Sequence, residues 1–496
     1  TRVARTALPG GPAHWRSGAR LHLPLRTAEP DQVHGSGGRA HLARRIAAAL
    51  ADRPDVLLAY WDEGLARLVV TMTEDAVGDR VVDHAAELAV RDGLLVAGGD
   101  PEELDHPADP AGVRAAATTL GVDLLGIAGA LTGYALRLPP TPRAVTALVT
   151  LLRENPRVRA LLRARIGAAR MDLLLATANA IVHAGGQTPT SLVLDGTLRS
   201  LQLTETMARA AAFDSLHDEL CGPGRVSVAP AGTPRPPLRE SPAQVYAAHA
   251  SAGSVLGAAA ALLVKRNLNS AAEAALSGSP KAARYAPAAF HAVLGTALAR
   301  ADVLVRDPER LRQLEMAGTL LLHPSALCTD EGLPDPWTEA VLDAARRARL
   351  RVVLVDDPAL EDFTGLADQV VDARRPLDDV VHALRGELDA RAAEEDGEDA
   401  DERVVITVAR PRAAEESDVL AGLDAADIAI ALTDQEGAVV WGADILAPHG
   451  LPDVWRLLTA IPAARTVGSR GQILARSGAA LSGLLVAIGE ARRGRG

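Results

Sequence analysis

The chain has 496 residues, enough for about three or four domains, and 48% of them are hydrophobic, so it can bury sizeable cores. With only 5 Trp, 4 Tyr and 3 Phe, those cores must be built from Ala, Leu and Val. The net charge of −11 argues against general nucleic-acid binding. Two distant cysteines, Cys221 and Cys328, indicate neither a disulfide scaffold nor a zinc module. The chain begins at Thr1 without a signal-peptide pattern, which leaves open that it is a fragment of a longer protein.

The first predicted elements are those of a small α/β module. Apolar and polar residues alternate as in strands, or recur with helical spacing, in five consecutive segments. The order β-α-β-β-α is that of a ferredoxin-like half-sandwich. The predicted strands are 20–25, 55–60 and 66–72, and the predicted helices are 39–51 and 75–91.

Long Ala/Leu-rich segments follow. Segment 115–136 has 22 residues and a single charge, which meets the length of about 20 that a membrane-spanning helix needs. Segment 171–194 is broken by Gly-Gly and Thr-Pro-Thr, and segments 251–264 and 477–489 have only 14 and 13 residues. Membrane helices are favoured over the buried helices of a soluble bundle, because these segments cluster beside the Arg-rich stretch 153–170.

From about residue 300 the pattern becomes α/β. Short apolar strands alternate with helices, which predicts a Rossmann-like domain with a parallel sheet covered on both faces. The predicted strands are 319–322, 351–357, 404–409, 427–432 and 444–447, with helices at 336–349 and from about Asp378, and an acidic run at 393–402.

This order of segments resembles the P-type cation-transporting ATPases. Residues 280–332 resemble the family's fourth membrane helix, its cytoplasmic stalk and the strand that leads to the phosphorylated aspartate. Within them, 302–306 (DVLVR) is similar to the family's gVLVR segment. Residues 425–434 and 441–448 resemble its AADVGIAM and AADIVL stretch. The likeness is greatest to the shortened, non-catalytic N-terminal half of large actinobacterial members.

The resemblance implies a mixed α/β multidomain fold. It combines a ferredoxin-like N-terminal module, an Ala/Leu-rich helical membrane region and a Rossmann-like, haloacid dehalogenase-like C-terminal domain. The expected boundaries are 1–17, a loose N-terminus; 18–93, a heavy-metal-associated-type module without Cys-x-x-Cys; 94–221, hydrophobic helices; 222–243, a Pro-rich linker that is the remnant of an actuator domain; 244–312, hydrophobic helices and stalk; 313–470, a degenerate phosphorylation-type domain without a nucleotide-binding insert; and 471–496, a hydrophobic helix and basic tail.

The phosphorylation motif implied by the resemblance is replaced position by position. The family's nucleophilic aspartate attacks the γ-phosphate of ATP. Here His323 stands at that aspartate, Pro324 at the lysine, Ser325 and Ala326 at Thr-Gly, and Leu327 at the last threonine. Pro324 removes both an ammonium and a backbone N–H. We therefore expect a loop that no longer binds phosphate, with a phosphorylated histidine as the less favoured alternative.

The Mg²⁺-binding stretch is replaced as well. Residues 408–423 stand where the family has Gly-Asp-Gly-x-x-Asn-Asp, and Arg410 follows the strand. An arginine beside a Mg²⁺ site has the wrong charge for the metal. Glu415 and Asp418 are weak candidate ligands, and Asp357 resembles the aspartate of the family's Thr-Gly-Asp. Mg²⁺ and ATP are the family's cofactors, but the residues here predict neither.

Two further modules lack their reactive residues. Only 332–337 stands where the nucleotide-binding domain is expected, and no Thr-Gly-Glu occurs between 195 and 250.

Loop 26–38 of the first module has His34 and no cysteine, which favours a surface histidine over a metal ligand. Pro280 and Lys281 stand at the family's helix-breaking proline, and Lys281 is interpreted as a lysine at a helix start.

Three hypotheses follow. The leading one is a catalytically silent half of a cation-transporting ATPase, in the cell membrane with cytoplasmic soluble domains. Its partners would be the membrane and a catalytic half in cis or in trans, and not nucleic acid. The second is an active pump whose catalytic motifs lie beyond this chain. The third is a soluble α/β protein that binds a small molecule at the ends of strands 319–322 and 427–432.

Overall fold

The chain forms two compact units in a computed structural model. The α/β unit comprises Thr1–Val113, Thr206–Leu238 and Gly295–Ile461, and the helical unit comprises Arg114–Glu205, Arg239–Leu294 and Pro462–Gly496. His34, Pro280 and most of the acidic run lie outside the described residues. The structure describes residues 14–27, 36–74, 76–96, 106–108, 110–137, 139, 141–166, 168–186, 189–231, 234–277, 281–394, 403–435 and 437–493.

Within the described ranges there are fourteen strands, numbered in chain order. They are β1 (Trp15–Ser17), β2 (Arg20–Thr27), β3 (Val56–Asp62), β4 (Arg67–Met72), β5 (Leu94–Val96), β6 (Ser227–Val228), β7 (Leu304–Val305), β8 (Ala317–Leu322), β9 (Arg351–Val355), β10 (Gln369–Val371), β11 (Val404–Ala409), β12 (Ile428–Leu432), β13 (Val439–Val440) and β14 (Ile445–Ala447).

The α-helices are numbered in the same way. They are α1 (Ser36–Ala51), α2 (Gly78–Arg91), α3 (Pro110–Ala135), α4 (Arg143–Glu154), α5 (Pro156–Ile166), α6 (Ala168–Gly185), α7 (Pro189–Leu220), α8 (Pro242–Lys265), α9 (Leu268–Ser277), α10 (Lys281–Arg300), α11 (Pro308–Leu311), α12 (Pro324–Leu327), α13 (Thr338–Arg347), α14 (Leu377–Glu394), α15 (Ser417–Ala425) and α16 (Leu451–Arg493).

The first sheet of the α/β unit contains the predicted β-α-β-β-α order and two short strands that were not predicted, β5 and β1. The strand β1 corrects the expectation that 1–17 is loose throughout, because Trp15–Ser17 pair with β2. The antiparallel order is β5-β2-β4-β3, with β1 also paired to β2. Side chains alternate between the faces of β2, because successive residues of a strand point to opposite sides. Leu21, Leu23 and Leu25 enter the core shared with α1 and α2. His22 is therefore directed to the opposite face, where it is also buried.

The second sheet of the α/β unit has seven strands in the order β10-β9-β8-β11-β12-β14-β7. All neighbours are parallel except β14 and β7. Every residue of β8 and β11 is buried, as expected for central strands covered on both faces. The chain moves outward from β8 in one direction and from β11 in the other. The carboxyl ends of these two strands are thus the switch point at which such sheets bind ligands.

Two helices of the described chain are long and apolar enough to cross a membrane. They are Gly112–Ala135, with 24 residues, and Pro242–Leu263, with 22 residues. The first was predicted. The second corrects the prediction that 251–264 is too short, because its helix begins nine residues earlier at a capping box. There Ser241 accepts from the Gln244 N–H and the Gln244 side chain accepts from the Ser241 N–H.

Close helix packing within the helical unit depends on a glycine of α3. A Cβ at Gly126 would lie 2.9 Å from Cβ of Ala180 on α6. A Cβ at Gly121 on the same helix would meet nothing within 4 Å. Both glycines lower helix stability relative to alanine by about 1 kcal/mol, so an alanine at either position gains the same intrinsic amount.

We expect Gly121→Ala to stabilise α3. In Gly126→Ala, overpacking against Ala180 costs about 1–3 kcal/mol and cancels the intrinsic gain in helix stability. Hydrogen exchange of α3 and α6 peptides in the two variants measures the difference. Equal protection in both variants would show that Gly126 has no packing role.

Candidate functional site

The candidate site lies at the carboxyl ends of β8 and β11 in the α/β unit. His323, which the resemblance was expected to place at the position of the family's nucleophile, is the N-cap of the short helix α12, with Pro324 as its first residue. Its Nδ1 accepts the N–H of Ser325 at 3.2 Å and lies 2.8 Å from the Ser325 Oγ. Burial lowers the pKa of His323, which favours the neutral ring. The imidazole therefore acts as a helix cap that stabilises the turn into α12.

Arg410 follows β11 and fills the space between the loops after β8 and β12. Its side chain is 3% exposed and pairs with Asp434, at 2.8 Å, and more distantly with Asp335, at 3.9 Å. Nη1 donates to the carbonyl oxygens of Ser325, at 3.1 Å, and Cys328, at 2.8 Å. Nε donates to Asp434 at 3.1 Å. A fixed positive charge thus occupies the switch point.

The three acidic candidates are not brought together. Asp357 caps the 3₁₀ helix after β9 by accepting the N–H of Ala359 at 2.9 Å. Asp418 accepts the N–H of Leu377 at 2.9 Å, and Glu415 is exposed. Among the described residues, none of the three belongs to a group of metal-ligating side chains. The carboxylate oxygens of Asp357 and Asp418 accept hydrogen bonds from helix termini, and the Glu415 side chain faces solvent.

Within the helical unit, Lys281 is the first residue of α10 and donates to Ser191 Oγ at 2.7 Å. It lines a polar cavity of about 110 Å³. Nearby, the buried carboxylate of Asp195 accepts a two-pronged pair of bonds from Arg153, at 2.9 and 3.1 Å. Other lining residues are Thr150, Arg159, Asn179, His183, Arg284 and Tyr285. Asp195 was not predicted, because it immediately follows the apolar segment 171–194; a carboxylate directly after such a segment was the available signal.

A larger cleft of about 850 Å³ lies elsewhere in the α/β unit. Residues 228–231 and 234–237 of the Pro-rich segment form one side, and α14 and α15 form the other. None of the predicted site residues lines it. It is therefore separate from the switch point at which the third hypothesis placed a ligand.

Comparison with known proteins found relatives but no matching family model. The chain is 28% identical over 97% of its length to "probable cation-transporting ATPase I" of Mycobacterium tuberculosis, strain H37Rv, and covers 36% of that protein. The Mycobacterium leprae protein of the same name is 27% identical over 96% of the chain. The chain thus spans about a third of the length of the curated relatives that it matches.

Solved structures with a similar backbone are also found. A zinc-transporting PIB-type ATPase in its E2-P state has a TM-score of 0.46 and 11% identity, covering 74% of this chain and 94% of its own. The same kind of ATPase in its E2.Pi state has a TM-score of 0.41 and 11% identity, with 75% and 95% covered.

Proposed function

The chain is a relative of the cation-transporting P-type ATPases, and we propose that it is a catalytically silent half of such a pump. In this role it is a scaffold or regulatory portion that acts with a catalytic half in the same polypeptide or in another. The observation that carries the proposal is the position of Arg410. Its buried guanidinium lies at the switch point, where the family's reaction needs Mg²⁺ and a phosphoryl group.

Electrostatics supports this function. Mg²⁺ prefers carboxylate and phosphate oxygens and is repelled by a cation in the same space. Asp434 is the acidic side chain closest to Arg410 in the loop after β12, and its Oδ2 is already paired with the guanidinium. Asp357 and Asp418 accept backbone N–H groups of helix termini. A metal ion at this place would have to compete with an arginine that is covalently part of the chain.

The backbone donors of the loop are also in use. Phosphate binding needs N–H groups that point at its oxygens. Here Pro324 has no N–H, the Ser325 N–H is donated to His323 Nδ1, and the Ala326 N–H to the His323 carbonyl. The N–H of Arg410 is donated to Ser325 Oγ at 3.0 Å. These N–H groups are thus hydrogen-bonded to neighbouring groups of the site, which leaves few donors for the oxygens of a phosphoryl group.

The domain assignments belong to the same proposal. The antiparallel order β5-β2-β4-β3 supports a ferredoxin-like module, and the order β10-β9-β8-β11-β12-β14 supports a haloacid dehalogenase-like domain. The two long apolar helices support a place in the cell membrane, with the soluble domains in the cytoplasm. The alternative of an active pump shares these features and differs only in having its catalytic motifs beyond this chain.

The purified chain is expected to form no phosphoenzyme from radiolabelled ATP and Mg²⁺. Quenching in acid detects an aspartyl phosphate, and quenching in alkali detects a phosphohistidine. A cation-transporting ATPase with intact motifs is the positive control, and His323→Ala is the matched variant. Stoichiometric label that disappears in His323→Ala, or acid-stable label in the unaltered chain, would refute the silent-half proposal.

A further inference from the structure

We propose that His22, His217 and Cys221 of the α/β unit form a binding site for copper(I). The inference rests on side chains other than those of the switch point and does not depend on the proposed function. One ligand atom from each of the three residues lies within 4.8 Å of the others. Their exposed fractions are 1%, 3% and 3%, so the group is enclosed by protein.

Two elements bring the ligands together. His22 lies on the face of β2 that is opposite to the leucine core, because side chains alternate along the strand. His217 and Cys221 are four residues apart at the end of α7, and the Cys221 N–H still donates to the His217 carbonyl at 2.8 Å. This spacing places both side chains on one helix face, where they meet His22.

The second nitrogen of each imidazole is already oriented. His217 Nδ1 lies 3.1 Å from an Asp218 carboxylate oxygen, and His22 Nδ1 lies 3.1 Å from His106 Nε2. Metal-binding histidines nearly always donate an N–H from this second nitrogen, as His217 can to Asp218, whereas His22 Nδ1 accepts from His106 in the metal-free chain. The remaining nitrogens, Nε2 of His22 and Nε2 of His217, face each other at 2.9 Å. The rings are thus held with these two nitrogens, which are hydrogen-bonded to each other in the metal-free chain, beside the Cys221 thiol.

The donor set and its charge favour copper(I). One thiolate and two imidazoles form a soft, three-coordinate set, which suits copper(I). Copper(I) and a thiolate are neutral together, whereas a divalent ion leaves one buried positive charge, which is costly. Trp15 and Phe213 pack against the rings, and the guanidinium groups of Arg20 and Arg67 already place positive charge near His22.

Binding the metal requires a defined movement of protons. The Ala108 N–H donates to His106 Nδ1 at 3.2 Å, so His106 carries its proton on Nε2 and His22 carries its own on Nε2. Copper(I) displaces the thiol proton of Cys221 to solvent. The His22 proton moves to Nδ1 and that of His106 to Nδ1, which breaks the bond from Ala108. Metal–nitrogen bonds of about 2.0 Å separate the two Nε2 atoms to about 3.5 Å in a trigonal site.

The test is a competition for copper(I) against a chromogenic chelator under anaerobic conditions, with the full chain. The chain is expected to remove one equivalent of copper(I) from the chelator. X-ray absorption of the complex is expected to show one sulfur and two nitrogen neighbours. Asp218→Asn, which weakens the orientation of His217, should lower the affinity about 10- to 100-fold.

The two cysteines of the chain supply a matched pair of variants. Cys221→Ser should abolish the stoichiometric uptake, and Cys328→Ser, which changes the other buried thiol, should retain it. His217→Gln is a second loss variant should Cys221→Ser fail to fold. Equal uptake by both cysteine variants would overturn the proposal, as would no uptake by the unaltered chain. Uptake of zinc(II) but not copper(I) would overturn the choice of metal.

Discussion

Replacing Arg410 by alanine is expected to destabilise the α/β unit by about 3–5 kcal/mol, the usual cost of removing one partner of a buried ion pair. The substitution leaves the Asp434 carboxylate without its guanidinium and two carbonyl oxygens, those of Ser325 and Cys328, without their donor. Each buried acceptor that loses its partner adds a desolvation cost. The loops after β8, β11 and β12 lose a buried side chain that joins them at the switch point.

Arg412 provides a matched control two residues away. It pairs with Asp330 at 2.8 Å, but the two side chains are 37% and 55% exposed. Solvent-exposed ion pairs contribute about 0–1 kcal/mol, so Arg412→Ala should have a small effect. All five tryptophans lie in the α/β unit, so their fluorescence during urea unfolding reports on that unit alone.

Arg410→Lys distinguishes charge from geometry. A lysine keeps the positive charge, but one ammonium cannot reproduce the forked contacts to Asp434 and to two carbonyls at once. An intermediate loss of stability is expected. Equal stability of Arg410→Ala and Arg412→Ala would contradict the view that the arginine organises this site.

The sequence predicted the central strands well because each is a short, continuous apolar run. β8 and β11 are buried at every position, and such runs need no information from distant residues. β5 was missed because three residues give no periodicity. The capping box that lengthens α8 was present in the sequence but lay outside the purely apolar stretch.

The contacts of the sites could not be predicted in the same way. Arg410 reaches an aspartate 24 residues later and a carbonyl 82 residues earlier. His22 contacts imidazoles that are 84 and 195 residues away. Such pairs arise only when strand order and helix packing are fixed. Sequence alone could say that Arg410 has the wrong charge for a metal, but not that its charge is balanced within the loop.

Lowering the pH from 6.5 to 5.5 is expected to destabilise the metal-free α/β unit by about 2 kcal/mol through His22 and His106 alone. The pKa of His22 and of His106 lies well below the usual value, first because burial penalises the charged ring and then because of neighbouring positive groups. Burial also lowers the pKa of His217. In the unfolded chain each ring takes up a proton near pH 6.5, whereas the folded chain keeps it neutral.

The direction follows from which state binds the protons. Below pH 6.5 the unfolded chain binds more of them than the folded chain, so acid favours unfolding. His22 and His106 each contribute about 1 kcal/mol over this interval. His14, His217 and His323, whose pKa values are also lowered by burial, act in the same direction. Stability is therefore retained at neutral pH and lost as the pH falls. Urea unfolding at several pH values, in the presence of a metal chelator and followed by tryptophan fluorescence, measures the slope.

Two glutamine variants assign this slope to the buried rings. In His106→Gln the side-chain amide can still donate to His22 and accept from Ala108, but it does not titrate, so about 1 kcal/mol of the loss should disappear. His41 on α1 is exposed, and His41→Gln should leave the slope unchanged. An unaltered slope in His106→Gln would place the acid sensitivity elsewhere. A smaller slope would show that the enclosed imidazoles, which can hold a metal only when neutral, are kept in that state by the fold.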